Sequence, residues 1–184
     1  FIEIGGVTAL EQGGNPKPRM FRSGASKALV NRMGFNNPGS QKVAEQLSLH
    51  IRRHGQPNVP LWANLGKSKV TPLDEAASDY ATTMERLWPH CDVFVINVSS
   101  PNTPNLRELQ HDDALENIVQ ACNKVNSDMA NTHQSQPKPL LVKIAPDLND
   151  EQLVAVVNTA RSAGCDGIVA TNTTIERPTA HTPK

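Results

Sequence analysis

The 184 residues include eighteen basic and eighteen acidic side chains, for a formal net charge of +0, with 38% hydrophobic and 20% charged residues. This composition is ordinary for a globular fold and excludes disorder of the whole chain, and the missing basic excess argues against nucleic acid as the main partner. The length allows one domain with a sizeable core, and no apolar run approaches the ~20 residues that span a bilayer.

The chain opens, without a methionine, on the strand-like segment Phe1-Ile2-Glu3-Ile4, so further chain is expected upstream. Gly5 to Arg22, with Gly13-Gly14-Asn15-Pro16 and Pro18, reads as a hairpin or excursion. Asn31-Arg32-Met33-Gly34-Phe35-Asn36-Asn37 is a polar cluster in which Gly34 permits close backbone approach; alone, it reads as a loop. A helix is predicted from about Ser40 to His54, with Val43, Leu47 and Ile51 inward and Gly55 as its stop.

Four nearly continuous apolar runs follow: Val59 to Leu65, Val93 to Val98, Leu140 to Ile144 and Gly167 to Thr171. Such runs suit parallel strands buried on both faces. A helical pattern separates each successive pair. After Thr71-Pro72, which reads as an N-cap and first turn, apolar residues recur at Leu73, Ala77, Tyr80, Met84 and Leu87. Asp113 with Glu116 offers a capping-box start before Leu115, Ile118, Val119 and Cys122. Asn149 with Gln152 repeats the device before Leu153, Val156, Val157 and Ala160, and Gly164 is placed to end that helix.

Alternating strands and helices predict a parallel α/β fold. A doubly wound sheet would bring a glycine-rich phosphate turn, and neither G-x-G-x-x-G nor G-x-x-x-x-G-K-[ST] occurs. A (β/α)8 TIM barrel is therefore preferred. Four clear units make about half of one, so residues 1–184 are expected to be an internal portion of a single barrel domain, incomplete at both ends.

Hydrogen-bonding residues close the four runs: Asn64, Asn97, Lys143 and Thr171-Asn172. One such residue would be no more than a strand cap. Four in successive units favour a site, because barrel enzymes build theirs at the carboxyl ends of the strands. The densest segment is Asn97-Val98-Ser99-Ser100-Pro101-Asn102-Thr103-Pro104. Its prolines stiffen it, and its uncharged donors and acceptors suit a planar polar ring such as a pyrimidine or a flavin. Ser100 lacks the G-x-S-x-G context and any adjacent His or Asp, which disfavours a hydrolase. Lys143, within an apolar run, favours an anionic or electron-rich ligand, while Pro146-Asp147 reads as a turn. Cys91, Cys122 and Cys165 lack ligand spacing and read as buried thiols in a reducing compartment. The six histidines are expected at the surface, and no metal site is expected.

Taken in order, these segments resemble dihydroorotate dehydrogenases. Phe1-Ile2-Glu3-Ile4-Gly5, Asn31 to Asn37, Asn64-Leu65-Gly66-Lys67, Asn97 to Pro104, Val142-Lys143-Ile144-Ala145-Pro146-Asp147 and Ala170-Thr171-Asn172-Thr173-Thr174 carry the resemblance across essentially the whole chain. Ser100 stands where the soluble class of that family carries cysteine and the membrane-associated, quinone-reducing class carries serine, and the chain is similar to the latter. The resemblance implies oxidation of (S)-dihydroorotate to orotate in pyrimidine (UMP) biosynthesis, through FMN, with a quinone as final acceptor. It also implies peripheral contact with the cytoplasmic side of the cell membrane, through a segment outside this chain.

The resemblance implies roles as well. Ser100 would take the C5 proton, helped by Thr103, while hydride passes from C6 to flavin N5. Asn31, Arg32, Met33, Gly34, Phe35, Asn97, Asn102, Asn172 and Thr173 would meet the substrate. Asn64, Asn97, Lys143, Thr171 and the backbone position of Gly6 would meet FMN, with Lys143 near the N1 edge. Gly6 departs from the pattern, since family members often carry Ser or Thr there. The family's substrate-binding lysine and its phosphate-binding glycine loops have no counterpart in these residues. The rivals are another FMN barrel acting on a pyrimidine, for which cysteine in place of Ser100 would be expected, and a non-catalytic binding protein on the same scaffold.

Overall fold

Short runs of β-branched and aliphatic residues, each too short for a helix and apolar on both faces, build the centre of the molecule. The computed structural model describes residues 1–103, 105–110 and 112–176. In chain order it contains β1 (Ile2–Val7), the hairpin strands β2 (Met20–Ser23) and β3 (Ala28–Asn31), α1 (Ser40–His54), β4 (Leu61–Leu65), α2 (Ala76–Leu87), β5 (Val93–Asn97), α3 (Asp112–Thr132), β6 (Leu140–Ile144), α4 (Asp150–Ser162) and β7 (Gly167–Ala170). Five strands pair in parallel in the order β1-β4-β5-β6-β7. Each new strand joins the same side of its predecessor, so the order never reverses. A doubly wound sheet would reverse, whereas an arc of a (β/α)8 barrel does not.

The core lies between this arc and the helices. Phe94 and Ile96 of β5, Leu140 and Val142 of β6, Tyr80, Met84 and Leu87 of α2, and Leu115, Ile118 and Val119 of α3 are all buried. Each such side chain contributes about 1.5–3 kcal/mol on leaving water. Tyr80 reconciles its hydroxyl with burial by donating to the Asn97 carbonyl at 2.8 Å, which ties α2 to the carboxyl end of β5. Burial raises its pKa well above the ordinary phenol value.

The predicted α1 matches the observed span, and Gly55, at φ 81, sends its N–H to the Ile51 carbonyl. The Asn149–Gln152 capping box is complete, with reciprocal bonds of 2.8 and 3.0 Å. Elsewhere tertiary contacts overrule local signals. Thr71-Pro72 does not start α2, which begins at Ala76 without a side-chain cap. Thr71 instead donates its hydroxyl to Asp79 at 2.8 Å, and Lys67 folds its ammonium onto the carbonyls of Ser68 and Thr71. Burial lowers the Lys67 pKa, and nearby Asp79 partly restores it. α3 begins at Asp112, so Asp113 and Glu116 both lie within the helix and do not frame its start. Of the two readings of Gly5 to Arg22, the excursion holds for the stretch between β1 and β2, while the hairpin is Met20–Asn31, and β1 runs on through Gly5 to Val7 as a fifth parallel strand with an irregularity before Val7. Val59 lies outside β4 and is exposed. Cys91 and Cys122 are buried and Cys165 half-buried, all three free. His90 is half-buried, not on the surface as expected, and burial beside Lys138 lowers its pKa. His50, His54 and His133 are exposed, and Pro104, His111 and His181 lie outside the described residues.

Candidate active site at the carboxyl ends of the strands

Parallel strands that share one direction bring their last residues to one rim. Asn64 ends the polar face of β4, Asn97 closes β5, Lys143 is next to last in β6, and Asn172 follows β7. A cleft of about 210 Å³ opens there. It is lined by Asn64, Asn97, Ser100, Asn102, Lys143, Asn172 and Thr173 from the parallel units, and by Asn31, Met33, Gly34 and Phe35 from the chain leaving the hairpin. Glu3, Gly5 and Gly6 of β1 complete it.

The side chains form a connected amide system. Asn64 donates Nδ2 to the Glu3 carboxylate at 2.6 Å, and Asn97 donates Nδ2 to Asn64 Oδ1 at 2.9 Å. Asn97 Oδ1 accepts from Ser99 Oγ at 2.9 Å and from Asn172 Nδ2 at 3.4 Å, and Asn172 also donates to Ser99 Oγ at 3.0 Å. An ionised carboxylate only accepts, so Glu3 sets which way each successive amide points. Across the cleft Asn102 donates Nδ2 to Asn31 Oδ1 at 3.2 Å, and Asn15 donates to the Asn102 carbonyl at 3.1 Å. The excursion between β1 and β2 is thereby fastened over the serine-bearing loop.

Ser100 is 5% exposed and lines the cleft; its Oγ accepts the Asn102 N–H at 3.3 Å. Thr103 is equally buried, and its Oγ1 has no hydrogen-bond partner among the described residues. An unmet hydroxyl of that kind costs about 1–3 kcal/mol, so it marks a place where a bound group or water is wanted.

Gly34 and Phe35 both take positive φ, 71 and 51, and this turn carries the Phe35 ring between two glycines. A methyl group added at Gly6 would lie 2.7 Å from Phe35 Cδ1, and one at Gly66 2.7 Å from Cε2. The departure at Gly6 thus has a physical reason: the ring occupies the space a side chain would need.

Three expected site residues are not brought to the cleft wall, and the first is Thr103, whose buried hydroxyl lies outside the lining. Arg32 turns outward and donates Nε and Nη2 to the Pro18 carbonyl at 3.0 and 2.9 Å. Thr171 is exposed and donates to the Asn172 carbonyl at 3.0 Å. Conversely, Glu3 and Gly5 were missed. Their two-residue spacing on a strand puts both on one face, a signal that becomes usable once β1 is counted as a strand. Asp147, read as part of a turn, accepts the Arg107 guanidinium at 2.8 Å. Burial raises the Asp147 pKa, but the hydrogen bonds from Thr174, Arg107 and the Ile175 amide, with the Arg107 charge, outweigh it and hold the carboxyl below its usual range. Thiol chemistry has no place in the cleft: no cysteine lines it, and burial pushes Cys91 and Cys165 up to about 12.

The geometry agrees with what the comparisons with known proteins give. The family model described as dihydroorotate dehydrogenase matches residues 1–184. The chain is 46% identical over 177 residues to a dihydroorotate dehydrogenase (quinone) of Chloroflexus aurantiacus, covering 96% of this chain and 48% of that protein. It is 48% identical over 180 residues to the protein of the same name from Acidithiobacillus ferrooxidans, covering 97% and 48%. Among solved structures, DHODH from Eimeria tenella in complex with ferulenol superposes with a TM-score of 0.87 at 36% identity, over 97% of this chain and 51% of that one. The chain spans about half the length of the curated relatives it matches. On a match that runs from its first residue to its last, this chain belongs to the dihydroorotate dehydrogenase family.

Proposed function

We propose that residues 1–184 are an internal portion of a single FMN-binding barrel domain that oxidises (S)-dihydroorotate to orotate in pyrimidine biosynthesis, with a quinone as final electron acceptor. The observation that carries this reading is the cleft itself: a buried serine facing a set of uncharged amides, with Lys143 among them. Such a donor and acceptor set fits a flat heterocycle whose edge alternates N–H and C=O, and a single cation fits the anionic edge of a reduced flavin.

In this reading Asn64, Asn97, Lys143, Thr171 and the backbone at Gly6 hold FMN, which when bound would supply the two-electron acceptor for hydride leaving C6. Asn31, Asn102, Asn172 and Thr173 orient the pyrimidine ring and its carboxylate, and Asn97 faces both ligands. The backbone turn at Met33-Gly34-Phe35 closes one side, with Arg32 supporting that turn from outside. Ser100 Oγ takes the C5 proton and Thr103 Oγ1 passes it on, so the substrate loses one proton and one hydride to become orotate. The relatives named dihydroorotate dehydrogenase (quinone) support the quinone acceptor, and in this reading the protein meets the membrane peripherally, on its cytoplasmic side. Among the described residues no helix is long and apolar enough to cross a membrane.

Anaerobic mixing of the purified full-length protein with dihydroorotate tests the reading. The flavin absorbance band should bleach. A bound flavin that stays oxidised would point to another reductant, and a protein without flavin would remove the oxidoreductase reading.

A further inference from the structure

We infer that Arg107 and Asp147 are positioning residues that clamp three strand-end loops into one catalytic geometry, an inference that rests on the function proposed above. Arg107 lies in the short helical turn Leu106–Gln110 that follows the serine-bearing loop. Its guanidinium is fully divided. Nε donates to the Ser99 carbonyl at 3.1 Å, Nη1 to Asp147 Oδ2 at 2.8 Å, and Nη2 to the Thr173 carbonyl at 3.3 Å. One planar fork therefore holds the residue before Ser100, the loop after β6 and the loop after β7.

Asp147 continues the connection. Its Oδ1 accepts the Thr174 hydroxyl, and both of its oxygens lie 3.3 Å from the Ile175 N–H. Gln110 adds a parallel strut, accepting the Ala145 N–H at 3.1 Å while donating to the Arg107 carbonyl at 3.3 Å. The ion pair is largely shielded, at 23% and 13% side-chain exposure, unlike the open Lys124–Asp128 pair at 78% and 61%.

The consequence is geometric. Ser100 sits on one clamped loop and Asn172 with Thr173 on another; Asn172 reaches the Ile144 carbonyl and Ser99 Oγ, both at 3.0 Å, and Arg107 adds the fork that holds Thr173 and Asp147 to the serine-bearing loop. The distance between the base and the groups that orient its substrate is then set by Asn172 on one side and by the Arg107 fork on the other. Lysine cannot replace it, because an ammonium on a flexible stem is a point charge without the planar fork.

The test uses the flavin-loaded holoenzyme with Arg107→Ala, Arg107→Lys, Asp147→Asn and the double variant Arg107→Ala/Asp147→Asn, and Lys124→Ala as the control ion pair. Hydrogen exchange is read at residues 105–110 and 172–176, and stopped-flow gives the limiting rate of flavin reduction. Each Arg107 or Asp147 variant should raise exchange in both segments together and slow reduction by about 10²-fold, the penalty expected of a small misplacement. Orotate affinity and flavin content should change far less. The double variant should be no slower than the worse single within about twofold, as for residues acting as one unit. Exchange rising only at 105–110, multiplicative losses, or full rescue by Arg107→Lys would overturn the clamp. If the alanine variants fail to hold flavin, the near-isosteric Asp147→Asn decides: wild-type exchange and rate in that variant reject the proposal. Coupled exchange in a protein that dihydroorotate cannot reduce would retain the clamp and reject the reaction assigned to it.

Discussion

The two ends of the parallel sheet are both polar, yet their polar groups are used in opposite ways. At the amino end the bonds end on backbone, apart from the Trp88 indole N–H that Asn126 accepts. Asp92, just before β5, accepts the N–H of Leu61 at the start of β4 at 2.7 Å, and Asp166, before β7, does the same for Leu140 of β6 at 2.8 Å. Asn126 holds both the Lys138 backbone and the Trp88 indole N–H, and Lys138 lies over the Trp88 ring while donating to the carbonyls of Trp88 and Cys91. At the carboxyl end side chains bond one another, Glu3 to Asn64 to Asn97, and a buried hydroxyl is left unmatched at Thr103. Polarity that closes on the backbone fixes the fold; polarity that faces a cleft with capacity to spare fits a ligand.

That contrast can be broken by exchanging damage between the ends. The largest effect is expected at Ser100. Ser100→Ala should slow flavin reduction by about 10²–10⁴-fold, the usual share of a general base, while flavin and orotate still bind. A near-normal rate in stopped-flow would remove Ser100 from the chemistry. At the other end, Asp92→Ala should cost about 1–3 kcal/mol in urea unfolding by stranding the Leu61 N–H, and leave the rate of reduction unchanged. A rate loss as large as that of Ser100→Ala would mean the two ends are not separable.

A smaller effect sharpens the boundary in pH. The folded-state pKa of Asp147 lies below its unfolded value. Its contribution to stability is therefore present above the unfolded carboxyl pKa of about 3.9 and is lost as pH falls through the lower folded value. Asp147→Asn should be less stable than the wild type at neutral pH, with the gap closing in acid, as read by thermal unfolding across pH. A gap independent of pH would place its origin in packing. The smallest effect belongs to Lys124→Ala, where an open helical pair is lost and no measurable change in unfolding is expected.

Much of this was legible in the sequence because the strands are buried on both faces and read as continuous apolar runs. Asn64, Asn97, Lys143 and Asn172 follow from the strand ends, since a shared direction must gather them. The hairpin was misplaced because Gly13-Gly14 and Pro16 signal a turn that the structure uses for a loop, while Met20–Asn31 pairs around a turn with a weaker signal. Thr71 misled because a local cap and a distant carboxylate, Asp79, compete for one hydroxyl, and the carboxylate wins. Arg107 and Asp147 stand forty positions apart, so no local pattern joins them. Only the closure of successive strand-end loops does.

The most direct test of Ser100 as the base is the pH profile of flavin reduction by dihydroorotate in the wild type and in Ser100→Cys. A hydroxyl is a weak base at neutral pH, so the wild-type rate should rise into the alkaline range; a thiol, with an ordinary pKa of about 8.5, should move that rise to lower pH. A profile that stays in place when the hydroxyl becomes a thiol would show that another group removes the proton, and would contradict the site as described.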